Sequence, residues 1–162
     1  MANDYFSFKQ FTVRQGNCAM KVCTDACLFG AHVGAIAGKL GSLKYGLDIG
    51  TGTGLLSLMV AQKNPDILID AVEIDALAAE QAAENFRESP WKDRLEVHQH
   101  SIQSFAEIEA LHQYYDLIIC NPPFFENDLK SSDSRRNLAL HSAALTLEDL
   151  LAAVKQLLKP SG

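Results

Sequence analysis

A glycine-rich segment is the first feature of this sequence that could bind a ligand. Asp48-Ile-Gly50-Thr-Gly52-Thr-Gly54 lies between a short apolar run and a helical stretch. Glycines at alternate positions let the backbone turn tightly and approach a ligand without a Cβ in the way. Glu73 ends the next apolar run, nineteen residues after Gly54. A carboxylate at that place accepts hydrogen bonds from two adjacent ribose hydroxyls, so the pattern predicts a ligand that contains a ribose.

The glycine spacing distinguishes a nicotinamide dinucleotide from S-adenosylmethionine. The dinucleotide fingerprint GxGxxG has a glycine at its sixth position, at the helix N-terminus that receives the pyrophosphate. Here that position is Leu55, and Asp48 stands before a GxGxG loop. An acidic side chain there suits an ammonium and a sulfonium group rather than two phosphates. We therefore expect S-adenosylmethionine as cofactor. The alternative is a turn that merely connects a strand to a helix, and Glu73 disfavours it.

A second motif, Asn121-Pro122-Pro123-Phe124, supplies groups suited to an exocyclic amine. An adenine amine is a poor nucleophile because its lone pair is delocalised into the ring. The Asn121 side-chain oxygen and the Pro122 carbonyl can each accept one N–H, which aims that lone pair at a methyl donor. The prolines stiffen the loop, and Phe124 offers a face on which a flipped base can stack. The motif predicts catalysis by Asn121, Pro122 and Phe124, with a simple proline turn as the alternative.

The elements that must position these motifs follow a βαβ pattern from Leu47 onward. Apolar runs predict a strand ending at Ile49 and further strands at 67–74, 95–98 and 115–120. Helical patterns predict helices at 55–63, at 76–88 and around 105–111. A last helix begins with Thr146 as N-cap and Asp149 three residues on. Its predicted apolar face is Leu147, Leu150, Leu151, Val154 and Leu158.

Residues 1–46 are predicted to form an N-terminal segment that covers the cofactor and substrate side of a core spanning residues 47–162. The segment contains the aromatics Tyr5, Phe6, Phe8 and Phe11 and a helical stretch near 26–40. It carries five basic and two acidic residues, whereas the remainder carries nine basic and eighteen acidic ones. A polyanion should therefore approach the N-terminal segment, helped by Arg135 and Arg136, unless the asymmetry arose by chance.

Other features of the chain exclude several classes of protein. No apolar run is long enough to span a membrane and Met1–Gln10 lacks a signal-peptide core, so we expect a soluble cytoplasmic protein. The four cysteines have no zinc-binding spacing, and Gly30 stands where a radical S-adenosylmethionine enzyme would need its third cysteine. His98 and His100 could face one side of a strand as a metal pair, but no third ligand is visible. We expect no metal.

With both motifs considered, the sequence resembles the bacterial N(6)-adenine methyltransferases that modify a valine tRNA beside its anticodon. The resemblance covers nearly the whole chain. The glycine loop together with Asn121–Phe124 indicates an amino-methyltransferase strongly. Two N-terminal segments narrow the resemblance to the tRNA-modifying group: Phe8-Lys-Gln-Phe11 and Cys18-Ala-Met-Lys21-Val-Cys-Thr24-Asp25. Further matches are Ala71-Val-Glu-Ile-Asp75 and Ser89-Pro-Trp91.

The resemblance implies a Rossmann-like class I α/β fold, truncated after the fourth strand and the following helix. It implies methylation of the N(6) amine of an adenine in tRNA, with S-adenosylmethionine as the small-molecule methyl donor. Ser101 stands where relatives carry an acid that meets the cofactor's adenine amine. Lys21, Thr24 and Asp25 are implied contacts of its methionine end, although Thr24 or Asp25 could equally be a helix N-cap. The implied cofactor contacts are then Lys21, Thr24, Asp25, Asp48, Gly50, Gly52, Gly54, Glu73, Ser101 and Asn121.

Two other functions stay open at this point. Protein-glutamine methyltransferases use the same Asn-Pro-Pro-aromatic loop on an amide nitrogen, usually with Tyr where this chain has Phe124. A cofactor-binding fragment without activity is the second alternative. With strand order 3-2-1-4, the strand at 115–120 is an open apolar edge, so we expect self-association there or poor order near residues 121–137.

Overall fold

The computed structural model describes residues 3–18, 20–41, 43–122 and 145–162. Among these residues, four parallel strands form the central sheet in the order β5-β4-β3-β6. These are the first four predicted strands in the order 3-2-1-4, so the expected topology is confirmed. The strands are β1 Tyr5–Ser7, β2 Thr12–Arg14, β3 Tyr45–Ile49, β4 Leu68–Glu73, β5 Leu95–Gln99 and β6 Leu117–Cys120.

Helices connect the strands and cover both faces of the sheet. Among the described residues, the helices are α1 Thr24–Ala37, α2 Leu55–Lys63, α3 Ala76–Arg87, α4 Ile102–Ala106 and α5 Leu147–Leu157. Two 3₁₀ turns lie at Lys92–Arg94 and Glu109–Leu111. α2 matches its predicted bounds, and α3 ends one residue before its predicted end. Thr146 caps α5 in a reciprocal capping box with Asp149, as predicted.

Alternation along the strands builds two apolar cores. Ile69 and Ala71 of β4 pack with α2, Phe86 and Trp91 on one side of the sheet. Leu47 and Val72 face the other side, where they pack with Phe105 and Leu157. The helices therefore fix the sheet from both faces, and its carboxyl edge is left to hold functional groups.

The N-terminal segment enters the first of these cores. β1 and β2 form an antiparallel hairpin with Phe6 opposite Val13. Val13 is fully buried and Phe11 is 7% exposed, and both belong to the cluster that contains α2 and Phe86. Arg14 in β2 also bonds to α3. The hairpin, which the sequence reading did not contain, thus packs directly against the α/β core.

Four local expectations were wrong. The helix around 105–111 begins earlier, at Ile102, because the Ser101 hydroxyl caps it, and a 3₁₀ turn follows at Glu109–Leu111. The N-cap of α1 is Cys23 rather than Thr24 or Asp25. The fourth strand begins at Leu117 rather than at 115; Tyr115 forms an isolated bridge with Leu158.

The fourth correction concerns the apolar face of α5. Leu147 and Leu151 are 71% and 58% exposed. The buried positions are Ala153 and Leu157, flanked by the half-buried Leu150 and Val154. No helix of the described part is long and apolar enough to cross a membrane.

Candidate functional site

The glycine loop closes at the carboxyl end of β3 with an unusual backbone. Gly50, Gly52 and Gly54 all have positive φ, at 69°, 55° and 80°. At Gly54 no other residue fits, because an added Cβ would lie 2.5 Å from Cε1 of Phe86. At Gly52 a Cβ would meet nothing within 4 Å, so that part of the loop faces open space. The loop is therefore tight on its core side and accessible on its ligand side.

Glu73 lies against this loop, as the sequence predicts. Its Oε2 accepts a hydrogen bond of 2.9 Å from the Gly52 N–H, and its Oε1 accepts one of 3.0 Å from the Asp75 N–H. The neighbouring Gly50 N–H donates to the carbonyl of Val72, which ties the loop to β4. Each carboxylate oxygen has a further acceptor site, so an oriented Glu73 can receive two more donors.

Asp48 is enclosed beneath the loop rather than displayed to solvent. Its Oδ2 accepts from the hydroxyls of Thr51 and Ser57, both at 2.7 Å, and from the Ser57 N–H at 3.2 Å. Its Oδ1 is buried and has no hydrogen-bond partner among the described residues. Burial raises the pKa of this carboxyl. A buried acceptor without a donor fits a site completed by a cationic or N–H-bearing ligand group.

The segment after β2 passes close to the carboxyl end of β4. Burial, with the charges of Glu73 and Asp75 nearby, raises the pKa of the Cys18 thiol to about 12. The Asn17 N–H donates to Gln81 of α3 at 3.4 Å, and Gln15 accepts from the Val22 N–H at 2.8 Å. Asn17 and Cys18 therefore lie near Glu73, on the side of the sheet that carries α3.

The structure does not bring Lys21, Thr24 and Asp25 onto the glycine loop. The Lys21 ammonium contacts the Asn3 carbonyl at 3.4 Å and Asp4 at 4.0 Å. Thr24 and Asp25 are exposed in the first turn of α1, and within the described residues their side chains form no hydrogen bond to the loop.

Asn121 follows directly on β6, at the same edge as the glycine loop. Ile49 pairs with Cys120, so Asn121 comes one residue after the position that faces the end of β3. Burial, reinforced by the Asp48 charge, raises the pKa of the Cys120 thiol to about 12. Asn121 and Pro122 are half-buried. Residues 123–137 of the region for which poor order was expected lie outside the described residues. They include Pro123, Phe124, Arg135 and Arg136.

Ser101 has a structural task at this edge. Its hydroxyl oxygen accepts from the Ser104 N–H at 3.1 Å and its hydroxyl donates to the Ser104 hydroxyl at 2.9 Å. The Glu73 carbonyl accepts from the His100 N–H at 3.1 Å, which holds the start of α4 next to the end of β4. Ser101 thus lies at the carboxyl edge of the sheet, with its hydroxyl engaged as a helix cap.

Asn85 is a site residue that the sequence reading missed. It is fully buried in α3, and its Nδ2 donates to the carbonyls of Thr53 at 2.8 Å and Arg14 at 2.9 Å. Its Oδ1 accepts from the Arg14 N–H at 2.8 Å. One amide therefore ties the glycine loop to the hairpin. The available signal was an asparagine, a poor helix former, within an alanine-rich helix.

A second polar cluster lies midway along β4 and β5. Among the described residues, Asp70, Glu96 and His98 form a group whose ligand atoms lie within 4.8 Å of one another. Asp70 accepts from His98 at 3.0 Å and from the Tyr115 hydroxyl at 2.6 Å. Burial alone would raise the pKa of Asp70, but these hydrogen bonds outweigh it and lower that pKa. His100 is not in this cluster, and His98 pairs with Asp70 instead.

Comparison with protein families gives one match that covers most of the chain. Residues 35–159 match the family model described as "Methyltransferase small domain". The matched region begins within α1 and ends just after α5, so it contains the glycine loop, Glu73 and Asn121.

Curated relatives match the chain along almost its whole length. It is 52% identical over 160 residues to a protein of Dyadobacter fermentans named tRNA1(Val) (adenine(37)-N6)-methyltransferase, and 50% identical over 163 residues to one of the same name from Cytophaga hutchinsonii. These alignments cover 99% and 100% of this chain and 63% and 65% of the relatives. The chain thus spans just under two thirds of their length.

Solved structures agree on the fold. A SAM-dependent methyltransferase from Agrobacterium tumefaciens superposes with a TM-score of 0.72 at 16% identity, over 99% of this chain and 51% of that one. A structure from Methanococcus maripaludis, described as a "putative s-adenosyl-l-methionine-dependent methyltransferase", superposes with a TM-score of 0.61 at 21% identity, over 85% of this chain and 53% of that one. These likenesses confirm the expected Rossmann-like class I methyltransferase fold.

Proposed function

This chain belongs to the methyltransferase small domain family, and from that premise we propose that the protein methylates the N(6) amine of an adenine in a valine tRNA, with S-adenosylmethionine as methyl donor. One structural observation carries the proposal: the glycine loop, Glu73 and Asn121 converge at the carboxyl edge of the sheet. The names of the relatives, at about half identity over this chain, support the tRNA substrate.

The residues around the glycine loop fit this cofactor. Glu73, oriented by the Gly52 and Asp75 N–H groups, would accept the ribose hydroxyls. The unpartnered Oδ1 of Asp48 favours a positively charged ligand end above it. When bound, S-adenosylmethionine supplies an electrophilic methyl group on a sulfonium that leaves readily. We further propose that Lys21, Thr24 and Asp25 reach the methionine end, which requires the Lys21 ammonium to leave Asn3 and Asp4.

Asn121 acts on the other reactant. Its side-chain oxygen and the Pro122 carbonyl each accept one N–H of the adenine amine, so the nitrogen lone pair turns out of the ring plane toward the methyl group. Phe124 would stack on the flipped base. The amine loses a proton after methyl transfer, and no strong base is required. The Ser101 hydroxyl oxygen, which also caps α4, would accept a hydrogen bond from the cofactor's adenine amine, without the charge that an acidic residue would add.

We also propose that the open edge of β6 pairs with a second copy of the chain, and that the protein works in the cytoplasm, where its tRNA substrate is found. β6 pairs with β3 on one side only among the described residues, and an unpaired edge presents free N–H and C=O groups. Light scattering over a concentration series should show a dimer. A monomer at every concentration, with slow amide exchange along Leu117–Cys120, would contradict this pairing.

The test of the function is single-turnover methylation of unmodified valine tRNA with saturating cofactor and full-length protein. Asn121→Ala should leave cofactor binding unchanged and reduce methyl transfer by about 10²–10³, because one preorganised polar group is lost. The matched control is Asn64→Ala, which removes the side-chain amide of a buried asparagine at the end of α2, away from the glycine loop. Methylation of a glutamine in protein instead of tRNA would overturn the substrate assignment. A normal rate in Asn121→Ala would reduce the motif to a proline turn.

A further inference from the structure

The turn of the N-terminal hairpin carries a rigid aromatic stack. The Phe8 N–H donates to the Phe11 carbonyl at 2.8 Å and closes the turn. The two rings stack with their centroids 4.5 Å apart and their planes inclined by 13°. Phe11 in turn packs edge-on against Trp91 at 5.5 Å. Because Phe11 is buried, the half-buried Phe8 ring is held in place from the core outward.

A groove of about 360 Å³ opens beside this stack, lined by Phe8, Lys9, Gln10, Phe11, Thr12 and Glu88. That volume lies in the range of pockets that hold small ligands or single residues of larger ones. The walls combine aromatic surface with an amide, a hydroxyl and an ammonium group. The Gln10 side-chain oxygen accepts from Gln62 at 2.9 Å, which orients that amide. Phe11 stacks on one face of the Phe8 ring and Phe6 contacts the ring at 4.9 Å with its plane inclined by 51°. The aromatic surface that remains, beside oriented polar groups, suits a nucleobase.

The charges at the groove favour an anionic partner. Glu88 is paired with Arg14, whose guanidinium donates to both carboxylate oxygens at 3.0 and 3.2 Å and also lies 3.5 Å from the Glu84 carboxylate. Lys9 is exposed and forms no ion pair within the described part of the chain, so its charge dominates the groove. Residues 1–46 carry five basic and two acidic residues in a protein of net charge −6. A polyanion is therefore repelled by most of the chain and attracted here.

The hairpin is also joined to the methyl-transfer site. Tyr5 pairs with Arg14, and the Arg14 carbonyl shares the Asn85 amide with the Thr53 carbonyl of the glycine loop. We propose that the groove beside Phe8 binds a second, unpaired nucleotide of the RNA substrate, with its base on Phe8 and a phosphate on Lys9. This rests on the proposed function and adds a binding site for RNA outside the reacting adenine.

The experiment measures binding of a fluorescent anticodon stem-loop RNA to the full-length protein over a series of salt concentrations. Lys9→Ala should raise Kd roughly three- to ten-fold and lower the salt slope by about 0.7, the value for one phosphate contact to a single strand. Phe8→Leu should raise Kd about ten-fold with the slope unchanged, because stacking is lost but not charge. Lys39→Ala, which removes an exposed charge from the same segment after α1, is the control and should bind normally.

Binding of S-adenosylhomocysteine is measured in every variant and should not change, which shows that each variant is folded. The proposed nucleotide site is wrong if Lys9→Ala and Lys39→Ala change the Kd for the RNA equally. It is also wrong if neither Lys9→Ala nor Gln10→Ala changes that Kd. Capture of an acidic peptide in place of RNA would overturn it as well. If the wild-type protein binds RNA through Lys9 but never methylates adenine, the proposed function fails while the groove stands. If methylation keeps its KM in Lys9→Ala, the function stands while the groove fails.

Discussion

Asn85 offers a direct test of how the glycine loop is held. Its side chain makes three hydrogen bonds of 2.8–2.9 Å, and every one ends on the backbone of Arg14 or Thr53. Asn85→Ala leaves one N–H and two carbonyls without their partner; Asn85 and Thr53 are buried, whereas the bonds to Arg14 are partly buried. An unsatisfied buried donor costs about 1–3 kcal/mol, and carbonyls tolerate the loss better. We expect the free energy of unfolding to fall by about 2–4 kcal/mol.

The same substitution should weaken ligand binding. Thr53 precedes Gly54, so without Asn85 the loop loses an anchor on its helix side. If the loop is then ordered in about one molecule in ten, the apparent Kd for S-adenosylhomocysteine rises about ten-fold. Urea unfolding gives the stability, and calorimetric titration gives the affinity under conditions in which both variants are folded.

Asn64→Ala is the matched control for this measurement. Asn64 is a buried amide of the same type, but its Nδ2 donates to the Val60 carbonyl at 2.9 Å and to Gly34 at 3.4 Å, at the far end of α2. Its loss should cost about 1 kcal/mol and leave ligand affinity unchanged. If both variants lose the same stability and neither changes affinity, Asn85 is an ordinary core amide and the argument for the loop fails.

Three further predictions concern the loop and the sheet. Glu73→Ala should weaken binding of S-adenosylmethionine ten-fold or more, while Glu80→Ala on the exposed face of α3 should not; equal calorimetric affinities would remove Glu73 from the site. Gly54→Ala should cost about 2–4 kcal/mol, against about 1–2 kcal/mol for Gly41→Ala, since both have positive φ and only Gly54 faces Phe86; equal urea midpoints would refute the clash. The Asp70 hydrogen bond raises the pKa of His98 above its ordinary 6.5, so the stability it contributes is complete below that pH and is lost as pH rises through the raised value. The pKa of Asp70 is lowered, so protonation of this carboxylate removes stability only as the pH falls below 3.8. If a His98→Gln variant shows an unchanged dependence of stability on pH, the Asp70–His98 pairing is contradicted.

The sequence alone was sufficient for the parts of the fold that depend on local patterns. α2 and α3 were located almost to the residue, because a glycine turn precedes one and Ser89-Pro90 follows the other. The glycine loop, Glu73 and Asn121 were expected at one edge, and the parallel pairing of β3 with β4 and β6 places them there.

The rest depends on contacts that no local pattern contains. The hairpin turn Phe8-Lys-Gln-Phe11 has no glycine, proline or asparagine, so nothing in it signals a turn. Apolar residues lie on more than one face of α5, and only packing against Phe105 and Tyr115 selects Ala153 and Leu157 over Leu147 and Leu151. Asn85 acquires its role from two backbone segments that are distant in sequence, so its spacing carries no information about it.

The way the hairpin is anchored determines when it can form during synthesis. Its Arg14 bonds to Asn85, 71 residues later, and its Phe11 packs on Trp91. At about 5–20 residues per second, the ribosome takes roughly 4–14 seconds to add those 71 residues. The hairpin therefore leaves the ribosome well before its partners, and Phe8 and Phe11 remain apolar surface that chaperones can bind until α3 and Trp91 have been synthesised.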